Sequence, residues 1–262
     1  MYRSLLYVPA HAERFIGKAH ERGADAIILD LEDAVPEADK DAARAGLGRS
    51  VERVGQAGAA VLVRINAGAR ALDDAKAALA AKAVAIVVAK AAPAGLADLA
   101  SVGIPLIAML ESPATILDAR ACAAHPGVIG LMVGGEDLAT ELGAQPTPEV
   151  LRVPKLLAHY AAKAERKLSF GMLRSVADYS DLEALRAAAA EARMHGFDGA
   201  SCVHPSGVAI LNAAFAPSAE EVDWARRVVE AARSSDAAFT LDGRMVDRPV
   251  VERARRVLKL VR

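Results

Sequence analysis

Ionisable residues recur along this chain where short apolar runs end. Asp30-Leu31-Glu32-Asp33 closes one run, Arg64-Ile65-Asn66 the next, and Lys90, Glu111-Ser112, Gly134-Gly135-Glu136-Asp137 and His204-Pro205-Ser206 close four more. Glu111 and Asp137 follow consecutive runs, and two carboxylates with water and substrate oxygens suit a hard octahedral cation, Mg2+ or Mn2+. The plainer alternative is that one of them pairs with an arginine. No Cys/His cluster has zinc-ligand spacing, which excludes a zinc site of the usual kind. Gly134 and Gly135 let the backbone approach a ligand closely, and amides from Gly134 to Asp137 at a helix start suit a substrate carboxylate. Arg64 offers a planar fork for a carboxylate or a developing oxyanion; its alternative is an ion pair with Asp30, Glu32 or Asp33. Lys90 raises Schiff-base chemistry, but the surrounding carboxylates would keep its amine protonated. His204 fits a general acid or base as well as a structural strand end.

These side chains converge only if the runs are parallel strands with a shared mouth. The runs are Leu5 to Val8, Ala26 to Asp30, Val61 to Ile65, Ala85 to Ala89, Pro105 to Leu110, Val128 to Val133, Leu168 to Leu173 and Gly199 to Val203. Most are continuously apolar, as expected for parallel strands covered on both faces. Segments of helical character such as Ala71 to Ala81 and Leu182 to Met194 lie between them, several closed by glycine at Gly23, Gly58, Gly103 and Gly196. Repeated β-α alternation over 262 residues predicts a (β/α)8 TIM barrel rather than a doubly wound open sheet, and no Gly-rich phosphate fingerprint follows the first run. The barrel is expected over residues 1–215. Residues 216–262 form a C-terminal helical extension, with helices near Glu220 to Arg233 and Val250 to Val261, that packs on a neighbour or covers the mouth.

Aromatic residues are only 4% of a chain that is 53% hydrophobic, so aliphatic side chains and alanine must fill the core. The 32 basic and 33 acidic residues give a net charge of −1, without the excess that a nucleic-acid partner would require. Cys122 and Cys202 lie in apolar surroundings and are expected as buried free thiols. The apolar run at the start is too short for a signal peptide, and no stretch is long enough for a transmembrane helix, so a soluble, cytoplasmic protein without a membrane partner is expected.

Several segments resemble the CitE-like branch of the HpcH/HpaI aldolase and citrate lyase β-subunit superfamily. They are Arg3 to Pro9, Asp25 to Asp33, Val63-Arg64-Ile65-Asn66, Gly135-Glu136-Asp137-Leu138, Val203-His204-Pro205-Ser206 and Gly243-Arg244-Met245-Val246-Asp247-Arg248-Pro249, in order across essentially the whole chain. The resemblance implies a trimeric or hexameric TIM barrel that makes or breaks a carbon–carbon bond with Mg2+. Its substrates would be 3-hydroxyacyl-CoA thioesters such as malyl-, citramalyl- or citryl-CoA, and its products acetyl-CoA and a 2-oxo acid. Glu111 and Asp137 would hold the metal and Arg64 the oxo acid. Glu32, with Asp30 and Asp33, would orient Arg64 and metal-bound water, and Asp247 would enter a neighbouring subunit's mouth as acid/base. Three departures fall on acyl selectivity and the CoA side: Ala91-Ala92 stands where family members carry an acidic residue after the lysine. Leu173 replaces an aspartate of the seventh strand, and Gly207 follows His-Pro-Ser in place of glutamine. Leu173 and Gly207 motivate one alternative, a catalytically silent binding or regulatory barrel; the other is a class II aldolase acting on free hydroxy-oxo acids without CoA.

Overall fold

A computed structural model of the chain describes residues 2–177, 179–234 and 237–261. Its strands β1 (Ser4–Pro9), β2 (Ala26–Asp30), β3 (Ala60–Ile65), β4 (Ala85–Val88), β5 (Leu106–Leu110), β6 (Val128–Val133), β7 (Leu168–Ser169) and β8 (Ala200–Cys202) form one parallel sheet in the spatial order 7-6-5-4-3-2-1-8. A parallel bridge between Phe170 and Gly199 brings the two ends together. It is supported by the Gly171 amide donating to the Gly199 carbonyl and the Asp198 amide to the Ser169 carbonyl, both at 2.9 Å. The (β/α)8 TIM barrel is thereby closed.

Alternation along the strands separates two cores. Leu5, Ile28, Leu62, Val87, Ile107, Met109, Met132 and Phe170 fill the barrel interior, while Leu6, Leu29, Val63, Ile86 and Ala108 face the helices. With a period of two, Asp30 continues the inward series of Ala26 and Ile28, Arg64 that of Leu62, and Glu111 that of Ile107 and Met109. The apolar runs thus aim their terminal charged residues into the barrel axis.

Around the sheet lie helices α1 (Glu13–Ala19), α2 (Lys40–Ala45), α3 (Leu47–Gly55), α4 (Ala71–Ala80), α5 (Pro93–Ala100), α6 (Pro113–Leu117), α7 (Ala119–Ala124), α8 (Gly135–Glu141), α9 (Pro148–Ala164), α10 (Leu182–His195) and α11 (Ser206–Ala214). Gly196 ends α10 at φ 91°, a left-handed geometry that glycine adopts without a Cβ penalty. Both cysteines are buried free thiols. No helix among the described residues is long and apolar enough to cross a membrane.

The seventh strand is shorter than its sequence suggests. Pairing ends at Phe170 because Gly171, at φ 148°, turns the chain, and Met172 and Leu173 join the outer core instead of extending the strand. After the barrel, α12 (Ala219–Ala231) and α13 (Arg248–Lys259) flank an antiparallel hairpin of β9 (Phe239–Leu241) and β10 (Arg244–Val246). Sequence reading resolves the helices but only a turn between them. The turn is Asp242-Gly243, both at positive φ (51° and 72°), the pairing that a tight two-residue hairpin requires. Ala225, Val228, Val246, Val251 and Ala254 give these elements a small core of their own. Arg193 of α10 ties them to the barrel by two 2.9 Å bonds to Glu221.

Candidate active site

Strand register sets the central contact. Asp30 and Arg64 are direct neighbours across β2 and β3, and the guanidinium grips the carboxylate from Nε at 2.7 Å and Nη2 at 2.6 Å. Nη1 reaches Glu32 at 2.8 Å and Asp33 at 3.1 Å. The Tyr7 ring lies 5.2 Å below the guanidinium carbon. Burial opposes the charge on Arg64, but the bonds and charge of Asp30 outweigh it, and the group stays a cation at any working pH. Asp30 itself accepts the amides of Glu32 and Ala34, so the turn after β2 is wound around one carboxylate. The ion-pair reading of Arg64 therefore holds, and the residue still lines the cavity.

Glu111 directly follows β5 with 4% of its surface exposed. The Lys90 backbone is left-handed at φ 50°, which directs its amide onto Glu111 Oε2 at 2.5 Å. Burial pushes the Glu111 carboxyl up to about 7, against that amide and with help from the charges of Glu32 and Asp137. Glu32 is pushed up to about 6, chiefly by burial and by its hydrogen bond with Asp33, against the pull of Arg64 and Lys90. Lys90 Nζ lies 3.3 Å from Glu32, whose charge raises the amine's pKa, so the imine route is closed to it.

Gly134 is required by this packing. A Cβ there would overlap Glu111 Oε1 and sit 2.6 Å from its Cγ. The adjacent first turn of α8 delivers Asp137 to the same cavity as Glu111, together with Gly135 and Glu136; the Glu136 carboxylate accepts a hydrogen bond from Ser175. The cavity has a volume of about 390 Å³. Its floor is Met109, Met132 and Phe170 from the barrel interior, and its walls include Tyr7, Val176, Ser201 and Val203.

Four of the sequence candidates do not line it: Glu32 and Lys90 face a neighbouring pocket beside Asn66, and the other two are His204 and Asp247. His204 stacks on Tyr179 with centroids 5.0 Å apart and holds Ser206 at 2.8 Å, which makes it a cap on the strand-to-helix turn. Asp247 caps α13 by accepting the Val250 amide at 3.3 Å, and it does not line this chain's cavity. Sequence reading missed Tyr7, Ser175 and Lys155. Tyr7 shares the inward parity of Leu5 and was legible on that ground; Lys155, inside a helix, looks like any solvent-facing lysine.

Glu111 and Asp137 line the same cavity and would offer a cation two carboxylates, and among the described residues no group of three or more His, Cys, Asp or Glu could hold a metal ion. Two carboxylates suit Mg2+, which keeps water or substrate oxygens in its remaining positions. Burial, helped by the charges of Glu32 and Asp137, holds the Glu111 carboxyl up to about 7, and a divalent cation beside it would favour the ionised form.

A closed parallel barrel with a largely buried guanidinium and several carboxylates lining the cavity at its C-terminal mouth has the architecture of a TIM-barrel enzyme. The HpcH/HpaI aldolase/citrate lyase family matches residues 3–94 and 76–205. A (3S)-malyl-CoA thioesterase of Cereibacter sphaeroides is 37% identical over 98% of this chain and 93% of its own. A citrate lyase subunit beta-like protein of Mycobacterium tuberculosis is 36% identical over 97% of this chain and 93% of its own. The crystal structure of protein CitE from M. tuberculosis in complex with magnesium, acetoacetate and coenzyme A superposes with a TM-score of 0.82 at 34% identity, covering 98% of this chain and 96% of that one. The chain belongs to the HpcH/HpaI aldolase/citrate lyase family, in its citrate lyase β-subunit-like branch, and is a TIM-barrel enzyme of lyase type.

Proposed function

We propose that the protein is a Mg2+-dependent lyase that cleaves or forms the carbon–carbon bond of a malyl-, citramalyl- or citryl-type CoA thioester, giving acetyl-CoA and a 2-oxo acid. The observation that carries this reading is the meeting of Arg64, Glu111 and Asp137 in one cavity. It is supported by the 34% identical structure that binds magnesium, acetoacetate and coenzyme A.

Glu111 and Asp137 would hold the ion, which when bound supplies Lewis acidity that lowers the pKa of the substrate hydroxyl. Arg64 Nη2 donates to Asp30 and carries a second N–H, which would serve as the donor to the oxygen that becomes the carbonyl of the oxo acid. Asp30, Glu32 and Asp33 hold the fork in place, so the donor needs no reorganisation as charge develops. Gly135 and the first-turn amides of α8 receive the carboxylate. Transfer of the hydroxyl proton to water lets the carbon–carbon bond break, its electron pair passing to the thioester enolate, which must then gain a proton at carbon. Asp247 supplies it from a neighbouring subunit, with residues 216–262 acting as a lid, which makes the working enzyme a homotrimer or homohexamer. Cytoplasmic location suits CoA thioester chemistry.

A second reading, hydrolysis of the thioester, is favoured by the 37% identical malyl-CoA thioesterase. Chromatography of products from malyl-, citramalyl- and citryl-CoA with Mg2+ separates the two. Acetyl-CoA with a 2-oxo acid supports the lyase, free CoA with the hydroxy acid supports hydrolysis, and three untouched thioesters refute both.

A further inference from the structure

The cavity wall contains a second cation with no part in the scheme above. Lys155 lies on α9 with 5% of its surface exposed and reaches the cavity beneath Gly135, where a Cβ would stand 3.6 Å from its Cε. Its ammonium has three donors, and the bond recorded for it runs to the Arg174 carbonyl at 2.7 Å. Among the described residues it makes no ion pair, and Glu136, the carboxylate whose charge it feels, takes Ser175 instead. A buried ammonium with one neutral acceptor is costly unless an anion joins it.

The cavity is otherwise acidic. Asp30, Asp33, Glu111, Glu136 and Asp137 line it, and Arg64 is already committed to Asp30, Glu32 and Asp33. An anionic substrate entering this mouth therefore finds one cation without a carboxylate partner on the wall. We propose that Lys155 anchors the carboxylate of the substrate's acid half, and so selects acids over neutral carbonyl compounds. The inference rests on the lyase reading for the identity of that half. Burial has already pushed the amine down to about 8, and a bound carboxylate would raise it again. Holding the Arg174 carbonyl alone would be served by a neutral donor.

The test is calorimetry at saturating Mg2+ with three probes, pyruvate, neutral pyruvamide and acetyl-CoA, on the full-length protein, Lys155→Met and Lys155→Arg. Lys155→Met should weaken pyruvate by roughly ten- to a hundredfold, the usual worth of a charge-assisted bond. Pyruvamide and acetyl-CoA should hold their affinities, and Lys155→Arg should keep most of the preference for pyruvate. Unchanged pyruvate binding in Lys155→Met overturns the anchor while leaving the lyase reading intact, and so does an equal loss for all three probes, the mark of a strut. A wild-type protein that binds acetyl-CoA but not pyruvate refutes the lyase reading and the anchor together.

Discussion

Gly134→Ala should disable the enzyme without unfolding it. Gly134 has φ −77° and ψ 100°, which alanine adopts freely, so the backbone imposes no penalty. The conflict is with one side chain: the new Cβ would lie 2.6 Å from Glu111 Cγ and 2.9 Å from Cδ, where ordinary contact begins at 3.4 Å. Glu111 must therefore retreat by about 0.8 Å. It cannot retreat and still accept the Lys90 amide at 2.5 Å while meeting Asp137 at a common ion. Misplacement on the order of 1 Å costs about a hundredfold in rate, and the apparent Mg2+ dissociation constant should rise by about tenfold or more. The assay is turnover of the active thioester against Mg2+ concentration, with thermal unfolding in parallel. The melting temperature should move by only a few degrees. A variant with unchanged kcat and unchanged Mg2+ half-saturation would show that Glu111 is not a metal ligand in this protein.

Raising the Glu111 carboxyl from the ordinary 4.5 to about 7 means the folded, metal-free protein holds a proton that the unfolded chain has released. Stability should therefore fall as pH rises from about 4.5 to 7, by roughly 3 kcal/mol from this group at about 1.4 kcal/mol per pH unit. Melting curves in EDTA should show the drop; Glu111→Gln should remove its part above about pH 6 and leave the smaller fall that Glu32 contributes below it, Mg2+ should stabilise more at pH 8 than at pH 5.5, and a wild-type curve that matches that of Glu111→Gln refutes the assignment. Arg64→Lys keeps the charge but loses the bidentate grip on Asp30, so kcat should fall by about a hundredfold with a modest loss of stability; kcat near wild type would remove Arg64 from the chemistry. Asp247→Ala removes a helix cap, a cost of about 1 kcal/mol, and should lower kcat by about a hundredfold or more. Mixing it, after dissociation and reassembly, with Glu111→Gln should restore activity through mouths that combine intact residues from two subunits; mixtures as inactive as their parents would place Asp247 outside the neighbour's site.

The barrel was legible because apolar runs of four to six residues alternate with alanine-rich helices, and the mouth because the inward parity of each strand ends on a charge. Asp30, Arg64 and Glu111 all follow from that parity. What the sequence hid depends on contacts between distant segments. The early end of β7 comes from the φ of Gly171, and the left-handed turn at Lys90 is fixed by the carboxylate it faces across β4 and β5. His204 looked like an acid or base because its partner in stacking, Tyr179, is 25 residues away and on no common element. Lys155 was invisible for a related reason: helical position says which residues share a face, but not that this face, unlike its neighbours, ends under a glycine turn.

The arrangement of charge explains why the site needs both cations. A guanidinium locked to Asp30 by two bonds is pre-organised but largely neutralised, so it offers a donor of fixed direction and little net attraction. A buried ammonium with one carbonyl partner is the reverse: weakly constrained, with attraction in reserve for an incoming anion. The first suits an oxygen whose charge grows only as the bond breaks, since stabilising it early would favour the bound substrate equally. The second suits a carboxylate that is charged throughout, whose binding energy can position the reacting carbon. Exchanging the two roles would place the stronger attraction on the reacting oxygen before the transition state. On this division Lys155→Met should act mainly on KM and Arg64→Lys mainly on kcat; the opposite split would show that the two cations are not divided in this way.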